Sequence, residues 1–251
     1  MKSLHNYNIL ILAAGKGRRL KNIGKKLPKC LLKIYNKSLL EILVKNLKEE
    51  GAKKINFVLG FKKELIIKNL KKIEDIKYET IYAKNFSRNG HGMSWFTFKK
   101  KWFKEKKPLL LLHGDILFDR RFLKNIINSK KKNLVGITTR NSYKNESLVV
   151  ESDNKGLLKK IGFYKDIKYS KGEILGINKF SVITTKKIFK YMSKFLKGKN
   201  KKLSWEFVLD SFIIDTNEKI YTLSKQTYPW VNINTIKDFN LAKKIYKRIN
   251  L

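Results

Sequence analysis

The sequence contains little cysteine, histidine, proline or acidic charge, and it has no long apolar run. Its one cysteine, Cys30, cannot form an internal disulfide, which indicates a reducing compartment. The three histidines, His5, His91 and His113, form no zinc-ligand spacing with one another or with Cys30. The apolar run 9–14 is shorter than the ~7–15 residues of a signal peptide's apolar region and the ~20 residues of a membrane span. These absences predict a cytoplasmic protein with no membrane partner.

Negative charge is scarce, because 58 lysines and arginines face 20 aspartates and glutamates, for a net charge of +38. Such a balance normally prompts a search for nucleic acid partners. However, 51 of the basic residues are lysines and only 7 are arginines, the residue better suited to phosphate and base contacts. The lysines are also spread along the chain. Nucleic acid binding is therefore a disfavoured alternative, and the positive field is expected to draw anionic substrates towards a cleft.

The hydrophobic content of 42% supplies a sizeable core. Apolar runs that indicate strands alternate with amphipathic segments that indicate helices, a pattern typical of βαβ units. From about residue 147 the strands become shorter and alternating, which favours antiparallel pairing. We predict one α/β domain: a Rossmann-like, mostly parallel sheet with helices on both faces and a small antiparallel extension. The strands include 8–14, 54–60, 78–83, 108–115 and 229–235, and the helices include 38–51 (N-cap Ser38, ending at Gly51), 62–73, 93–103, 118–129, 184–198, 204–213 and 236–249.

A glycine loop follows the first predicted strand, and three phosphate-binding motifs compete for it. The dinucleotide fingerprint needs a third glycine where Leu20 stands, and Pro28 interrupts the helix that should follow. The Walker A loop is excluded, because Arg19 and Lys26 occupy positions that require glycine and serine or threonine. What remains is the pattern L-A-A-G-x-G-x-R-L, followed by P-K-x-L-L.

This pattern resembles the signature of the nucleotidyltransferases that join a nucleoside triphosphate to a sugar phosphate or to an alcohol or amine phosphate. Three further segments are similar to motifs of that family in the same order: the G-D of 113–119, the acceptor-side strand 171–181 and the closing segment 229–244. Together the four cover nearly the whole chain. The residues that match the opening signature are Leu12, Ala13, Ala14, Gly15, Gly17, Arg19, Leu20, Pro28, Lys29 and Leu31.

The resemblance implies a fold of the nucleotide-diphospho-sugar transferase type and a Mg²⁺-dependent transfer from a nucleoside triphosphate. The chain's small size favours the short cytidylyltransferases, which use CTP and a small phosphate or phosphonate acceptor such as phosphocholine or 2-aminoethylphosphonate. A sugar-1-phosphate nucleotidyltransferase using UTP or another nucleotide stays open, as does a homo-oligomeric state. The implied division is a nucleotide-binding core (1–145), an acceptor-side portion (146–228) and a closing strand and helix (229–251).

The resemblance also implies roles for residues of the opening signature, and physical chemistry agrees with them. Backbone N–H groups of the glycine loop can cradle phosphates, since glycine lets the backbone approach closely. Arg19 would grip the leaving pyrophosphate bidentately, and Lys29 would stabilise charge on the α-phosphate. Ser94 would touch the nucleotide. The full predicted nucleotide-binding set is Leu12, Ala13, Ala14, Gly15, Lys16, Gly17 and Ser94.

Metal and acceptor residues complete the implied site. Asp115 would bind Mg²⁺. Asn232 stands where relatives usually carry Asp or Glu, and Asn234 follows two residues later; both are candidate ligands, and only one of these asparagines is expected to face the site. An amide oxygen is a poorer Mg²⁺ ligand than a carboxylate. Glu173 and Trp230 are the predicted acceptor contacts. Trp230 belongs to a set of aromatic residues that could also offer a cation–π face to a choline or amine group, namely Trp95, Trp102, Tyr164, Trp205 and Trp230.

Overall fold

The alternation of apolar and amphipathic segments folds into a layered α/β structure in a computed structural model that describes residues 3–139, 143–224 and 228–249. The strands are β1 (Asn8–Ala13), β2 (Lys33–Ile34), β3 (Lys37–Ser38), β4 (Lys54–Leu59), β5 (Lys77–Tyr82), β6 (Leu109–His113), β7 (Ile116–Phe118), β8 (Leu134–Thr138), β9 (Leu148–Ser152), β10 (Leu158–Phe163), β11 (Gly172–Phe180), β12 (Tyr221–Ser224) and β13 (Trp230–Asn232). The α-helices are α1 (Lys21–Lys26), α2 (Leu39–Glu49), α3 (Lys63–Leu70), α4 (His91–Thr97), α5 (Lys99–Glu105), α6 (Arg120–Asn128), α7 (Val182–Phe195), α8 (Trp205–Thr216) and α9 (Ile236–Ile249).

The central sheet has the strand order β10-β9-β11-β6-β1-β4-β5, with β8 paired to β11 and β12 paired to β8. Strands β6, β1, β4 and β5 run parallel to one another. Strand β11 runs antiparallel to β6, β8 and β9, and β9 runs antiparallel to β10. Strand β13 lies outside this sheet and pairs with β7. The parallel sheet and its antiparallel extension confirm the predicted fold class.

Both faces of the central strands β1 and β6 are covered, as their runs of apolar residues require. On β1, Ile9 and Ile11 join one hydrophobic cluster, with α2, α3 and α6, and Leu10 joins the opposite cluster, with α4, α5, α7 and α8. Strand β6 alternates in the same way, with Leu110 and Leu111 on opposite faces. Side chains alternate across a strand, so a strand with helices on both sides must be apolar at every position.

Local sequence signals fix several helix ends. Ser38 begins α2 with a capping box: its Oγ accepts a hydrogen bond from the Glu41 backbone N–H at 3.2 Å, and its own N–H donates to Glu41 Oε2 at 2.6 Å. Just beyond α2, Gly51 has a φ of 86°, a left-handed conformation that favours glycine. Asp119 caps α6 by accepting from the backbone N–H of Arg121 at 2.8 Å. The predicted cap at Ser38 and stop at Gly51 are confirmed.

Two details differ from the sequence predictions. The helix predicted over 93–103 is wrong as a single element, because it is divided at Phe98 into α4 and α5. The Phe98 N–H bonds to the Trp95 carbonyl three residues back at 3.1 Å, which tightens the turn there. The pairing of β7 with β13 was also missed, since strands this short carry too little pattern. Among the described residues, no helix is both long and apolar enough to cross a membrane.

Candidate active site

A cavity of about 670 Å³ opens at the carboxyl ends of β1 and β6, the position where open α/β sheets bind ligands. It brings together predicted site residues from six separate segments of the chain. Trp230 is the exception and the acceptor contact predicted for it is wrong, because the residue is 8% exposed and packs in the core. The predicted residues that line the cavity are Leu12, Ala13, Ala14, Gly15, Lys16, Gly17, Arg19, Lys29, Ser94, Asp115, Glu173, Asn232 and Asn234.

The glycine loop is held at both ends by backbone hydrogen bonds and by close packing. The Ala14 carbonyl accepts from the Phe61 N–H at 3.1 Å, and the Leu12 carbonyl accepts from the Gly114 N–H at 2.9 Å. Gly17 adopts a left-handed conformation with φ 61°. Gly24 of α1 packs so tightly on the loop that a Cβ there would overlap the Gly17 carbonyl oxygen. The loop geometry therefore depends on glycine at 17 and 24.

Alanine at Gly17 and alanine at Gly15 should affect stability differently. At Gly17 the new Cβ would lie 3.0 Å from Lys29 Cγ and φ would stay positive, so we expect a loss of about 1 kcal/mol in unfolding free energy. At Gly15 a Cβ meets nothing within 4 Å, so the melting temperature should not change. Thermal unfolding of both variants measures the difference, and equal losses would contradict this account of the loop.

Lys29 reaches the centre of the cavity because Pro28 directs the chain into a single 3-10 turn, Lys29–Leu31. Its Nζ donates hydrogen bonds to Asp115 Oδ2 and to Asn234 Oδ1, both at 2.7 Å. The Lys29 and Asp115 side chains are 16% and 22% exposed, so water screens their ion pair only in part. This pair joins the loop after β1 to the end of β6.

Asp115 is kept ionised by this arrangement. Burial raises the pKa of its carboxyl, but the charge of Lys29 and the hydrogen bond from it outweigh burial, so the pKa lies below its usual value. The neighbouring thiol behaves oppositely: burial, and then the Asp115 charge, raise the pKa of Cys30 to about 12. Cys30 is therefore a neutral wall residue, while Asp115 offers a carboxylate to a cation.

Both closing asparagines face the cavity, so the expectation that only one would do so is wrong. The reason is that residues two apart lie on the same side of an extended chain. Within the described part of the chain, Asn232 Oδ1 is buried and has no hydrogen-bond partner. Asn234 Oδ1 instead accepts from Lys29 at 2.7 Å and from Arg19 Nη2 at 2.8 Å. Asn234 therefore positions the side chains of Lys29 and Arg19, whereas the side-chain oxygen of Asn232 is available to a ligand.

The donor set fits Mg²⁺. Asp115 supplies a carboxylate and Asn232 an unpartnered amide oxygen, both hard oxygen ligands that line one cavity. The backbone links them, because the Ile233 N–H donates to the Asp115 carbonyl at 2.8 Å. In the described ranges no group of three or more His, Cys, Asp or Glu side chains is placed to hold a metal. The remaining ligands must come from phosphate oxygens and water, as is usual for Mg²⁺.

Sequence reasoning missed several residues on the far side of the cavity. Glu206 of α8 is 4% exposed and lines the cavity beside His113, with 3.7 Å between Glu206 Oε1 and His113 Nε2. Asp238 of α9 holds the closing segment, because its Oδ2 accepts from the N–H groups of Asn234 at 3.0 Å and Thr235 at 2.8 Å. Glu206 had a readable signal, since it is an acid in the first turn of a mainly apolar helix.

Sequence comparison gives the family of the chain. A model of the family described as "Nucleotidyl transferase" matches residues 8–161, which is more than half of the 251 residues. The chain belongs to this family. The matched region of this nucleotidyl transferase begins with β1 and ends inside β10, so it contains the glycine loop, Lys29 and Asp115. It stops before Glu206 and the closing asparagines.

Individual relatives are partial matches. The CTP:phosphoglutamine cytidylyltransferase of Campylobacter jejuni is 30% identical over 128 residues, which is 50% of this chain and 50% of the relative. The D-glycero-alpha-D-manno-heptose 1-phosphate guanylyltransferase of the same species is 31% identical over 122 residues, 49% of this chain and 53% of the relative. The chain spans about half the length of these curated relatives.

The fold match extends over the whole domain. The CTP:phosphocholine cytidylyltransferase of Streptococcus pneumoniae superimposes with a TM-score of 0.79, covering 96% of this chain and 99% of that one. Sequence identity over this match is 21%, so the likeness shows the fold alone.

Proposed function

We propose that this nucleotidyl transferase moves a cytidylyl group from CTP to a small phosphate or phosphonate acceptor and releases pyrophosphate. The observation that carries the proposal is the ion pair between Lys29 and Asp115. Its Nζ and Oδ2 atoms lie 2.7 Å apart, and the pair lines the same cavity as the glycine loop. Nucleotidyl transfer needs positioned charge more than covalent chemistry, and this junction supplies both signs of charge. The CTP choice is supported by the cytidylyltransferase relative from Campylobacter jejuni.

In the proposed reaction an acceptor oxygen attacks the α-phosphorus in line, and the bond to the bridging oxygen of the pyrophosphate breaks. The N–H groups of Gly15, Lys16 and Gly17 would bind the β- and γ-phosphates, and Arg19 would hold the departing pyrophosphate. Lys29 would stabilise the charge on the α-phosphate, for which it must turn from Asn234 towards the substrate. Ser94 lines the cavity and would contact the nucleotide.

Asp115 and Asn232 would hold Mg²⁺, which when bound neutralises part of the triphosphate charge. The low pKa of Asp115 keeps its carboxylate charged for this role at neutral pH. Asn234 is excluded from the proposed ligand set, because its oxygen already accepts from Lys29 and Arg19. Because the Asn232 amide is a weak ligand, we expect the affinity for Mg²⁺ to depend on the phosphate oxygens of the bound nucleotide.

Pyrophosphate release over a matrix of nucleotides and acceptors tests the proposal. CTP should exceed UTP, GTP, ATP and TTP in kcat/KM, with phosphocholine, phosphoethanolamine or 2-aminoethylphosphonate as acceptor and Mg²⁺ present. A Lys29→Met preparation controls for contaminating enzymes. Release with no CTP combination, together with tight duplex DNA binding that weakens steeply with salt, would contradict the proposal and favour the nucleic acid alternative.

A sugar-1-phosphate nucleotidyltransferase is the second candidate, and the guanylyltransferase relative from Campylobacter jejuni is the observation that favours it. It keeps the roles of Lys29, Arg19 and Asp115 and changes both substrates. Glucose 1-phosphate and mannose 1-phosphate, each with UTP and GTP, belong in the same matrix. Turnover with these and not with CTP would replace the first proposal by this one.

The division of the domain follows the same proposal. Residues 1–145 would bind the nucleotide, 146–228 would bind the acceptor and 229–251 would close the site with Asn232 and Asn234. The cavity residues fit this division, since Glu173 and Glu206 come from the middle portion. The cytoplasmic location and the homo-oligomer stay predictions.

A further inference from the structure

Glu206 is a buried acid with one carboxylate oxygen that accepts no hydrogen bond from the described residues. It is 4% exposed, lies in the first turn of α8 and lines the cavity. Within the residues that the structure describes, its Oε2 has no hydrogen-bond partner. A buried carboxylate without donors is unfavourable, and proteins keep one where a ligand or partner completes it.

His113 does not supply the missing donor. The His113 Nε2 atom lies 3.7 Å from Glu206 Oε1, beyond hydrogen-bond distance. That nitrogen already accepts a hydrogen bond from Trp205 Nε1 at 2.5 Å. Because this nitrogen accepts from Trp205, it does not donate a hydrogen bond to Glu206. The start of α8 gives the carboxylate a favourable dipole but no partner for Oε2.

The basic and acidic residues that line the cavity lie towards different strands of the sheet. The glycine loop after β1 and the 3-10 turn at Lys29 carry positive charge, whereas Glu173 lies on β11 and Glu146 precedes β9, beyond β6 in the strand order. Lys144 is also on this side. In a chain of net charge +38, acids gathered at one wall of a phosphate-binding cavity are complementary to a cation.

We propose that the acceptor carries a primary ammonium group on the end away from its phosphate or phosphonate, and that Glu206 binds this group. The inference rests on the proposed function and names the class of its acceptor. The ammonium would donate N–H bonds to Glu206, while the phosphate or phosphonate end faces Lys29. His113 is the last residue of β6, and Asp115 follows it by two residues. Glu206, beside His113, therefore lies at the same end of β6 as the proposed metal ligand.

A trimethylammonium group fits this wall poorly. It has no N–H to give to Glu206 Oε2, and proteins bind it with several aromatic faces. Trp95, Trp102 and Trp205 are 0% exposed. Among the described cavity residues Tyr143 is the one aromatic ring besides the histidines, and it packs against Tyr164 with ring centroids 5.2 Å apart. The predicted aromatic contacts for choline are therefore not assembled.

Acceptor kinetics with CTP and Mg²⁺ test the inference. The kcat/KM for phosphoethanolamine and for 2-aminoethylphosphonate should exceed that for phosphocholine by at least ~10-fold, the effect of one hydrogen bond to a charged group. Glu206→Gln should lower kcat/KM for the two amines by about 10- to 100-fold. The kcat/KM for phosphocholine and the KM of CTP should change little. Glu206→Asp should recover part of the loss, and the exposed Glu64→Gln should change nothing.

Calorimetric binding of the same acceptors, with Mg²⁺ and α,β-methylene-CTP, separates this inference from the proposed function. Turnover of phosphocholine or sugar phosphates as fast as the amines would overturn the inference and keep the transferase. Absence of turnover with every acceptor would remove the transferase proposal. In that case, selective binding of the primary amines that is lost in Glu206→Gln would still support an ammonium subsite at Glu206. Equal binding of the primary amines and of phosphocholine would overturn that subsite. Wild-type selectivity decides the matter even if Glu206→Gln fails to fold.

Discussion

Asp115→Asn and Lys29→Met should each lower kcat/KM for cytidylyl transfer at least ~100-fold, the usual cost of removing one preorganised charge from a transfer site. The two residues form one unit at 2.7 Å, so the double variant should lose much less than the product of the single losses. Steady-state pyrophosphate release measures all three variants. Circular dichroism and thermal unfolding check that the sheet survives.

Lys25→Met is the matched control, because Lys25 is exposed on the neighbouring helix α1. It removes the same charge four residues before Lys29 and should leave turnover unchanged. Near-normal rates in both Lys29→Met and Asp115→Asn would remove the chemical basis of the proposed function. A loss in Lys25→Met of the same size would show that the overall positive field, and not the position of Lys29, carries the effect.

Gly24→Ala should weaken nucleotide binding by about 100-fold although Gly24 is not a lining residue of the cavity. Its new Cβ would overlap the Gly17 carbonyl oxygen and come within 3.1 Å of Leu20 Cβ, so the glycine loop must shift. Overpacking of this kind typically costs about 1–3 kcal/mol of stability as well. Nucleotide titration and thermal unfolding measure the two effects separately.

Asn22→Ala is the control for Gly24→Ala, since Asn22 is an exposed residue of the same helix. It should leave both nucleotide affinity and melting temperature close to wild type. A Gly24→Ala protein that melts earlier but binds CTP normally would show that the loop tolerates the shift. The phosphate-binding geometry would then not depend on α1.

The fold was largely readable from the sequence, because the central strands β1 and β6 are runs of apolar residues and most helices have one apolar face. Ser38 and Gly51 even fixed the ends of α2, through a capping box and a left-handed glycine. The interruption at Phe98 was not readable, since its cause is tertiary. Trp95, Phe98 and Trp102 are all fully buried, and each half of this region packs into the same cluster.

The site was readable only where a local motif exists. The glycine loop, Lys29 and Asp115 stand in recognisable patterns, and the structure brings them together in one cavity. Gly24 gave no such signal, because its importance comes from one close contact with the Gly17 carbonyl. The roles of Asn232 and Asn234 depend on which amide oxygen already accepts hydrogen bonds. Arg19 and Lys29, which are distant in sequence, donate to Asn234 and not to Asn232.

The hydrogen bonds to Asn234 also determine when the site can exist during synthesis. Arg19 and Asn234 are separated by 215 positions and Lys29 and Asn234 by 205, so these contacts close very long loops of the chain. A ribosome releases the glycine loop before the closing segment. A nascent chain therefore carries Lys29 and Asp115 long before the residue that orients Lys29 and Arg19 emerges. The hydrogen bonds that orient Lys29 and Arg19 therefore cannot form until residue 234 has been synthesised.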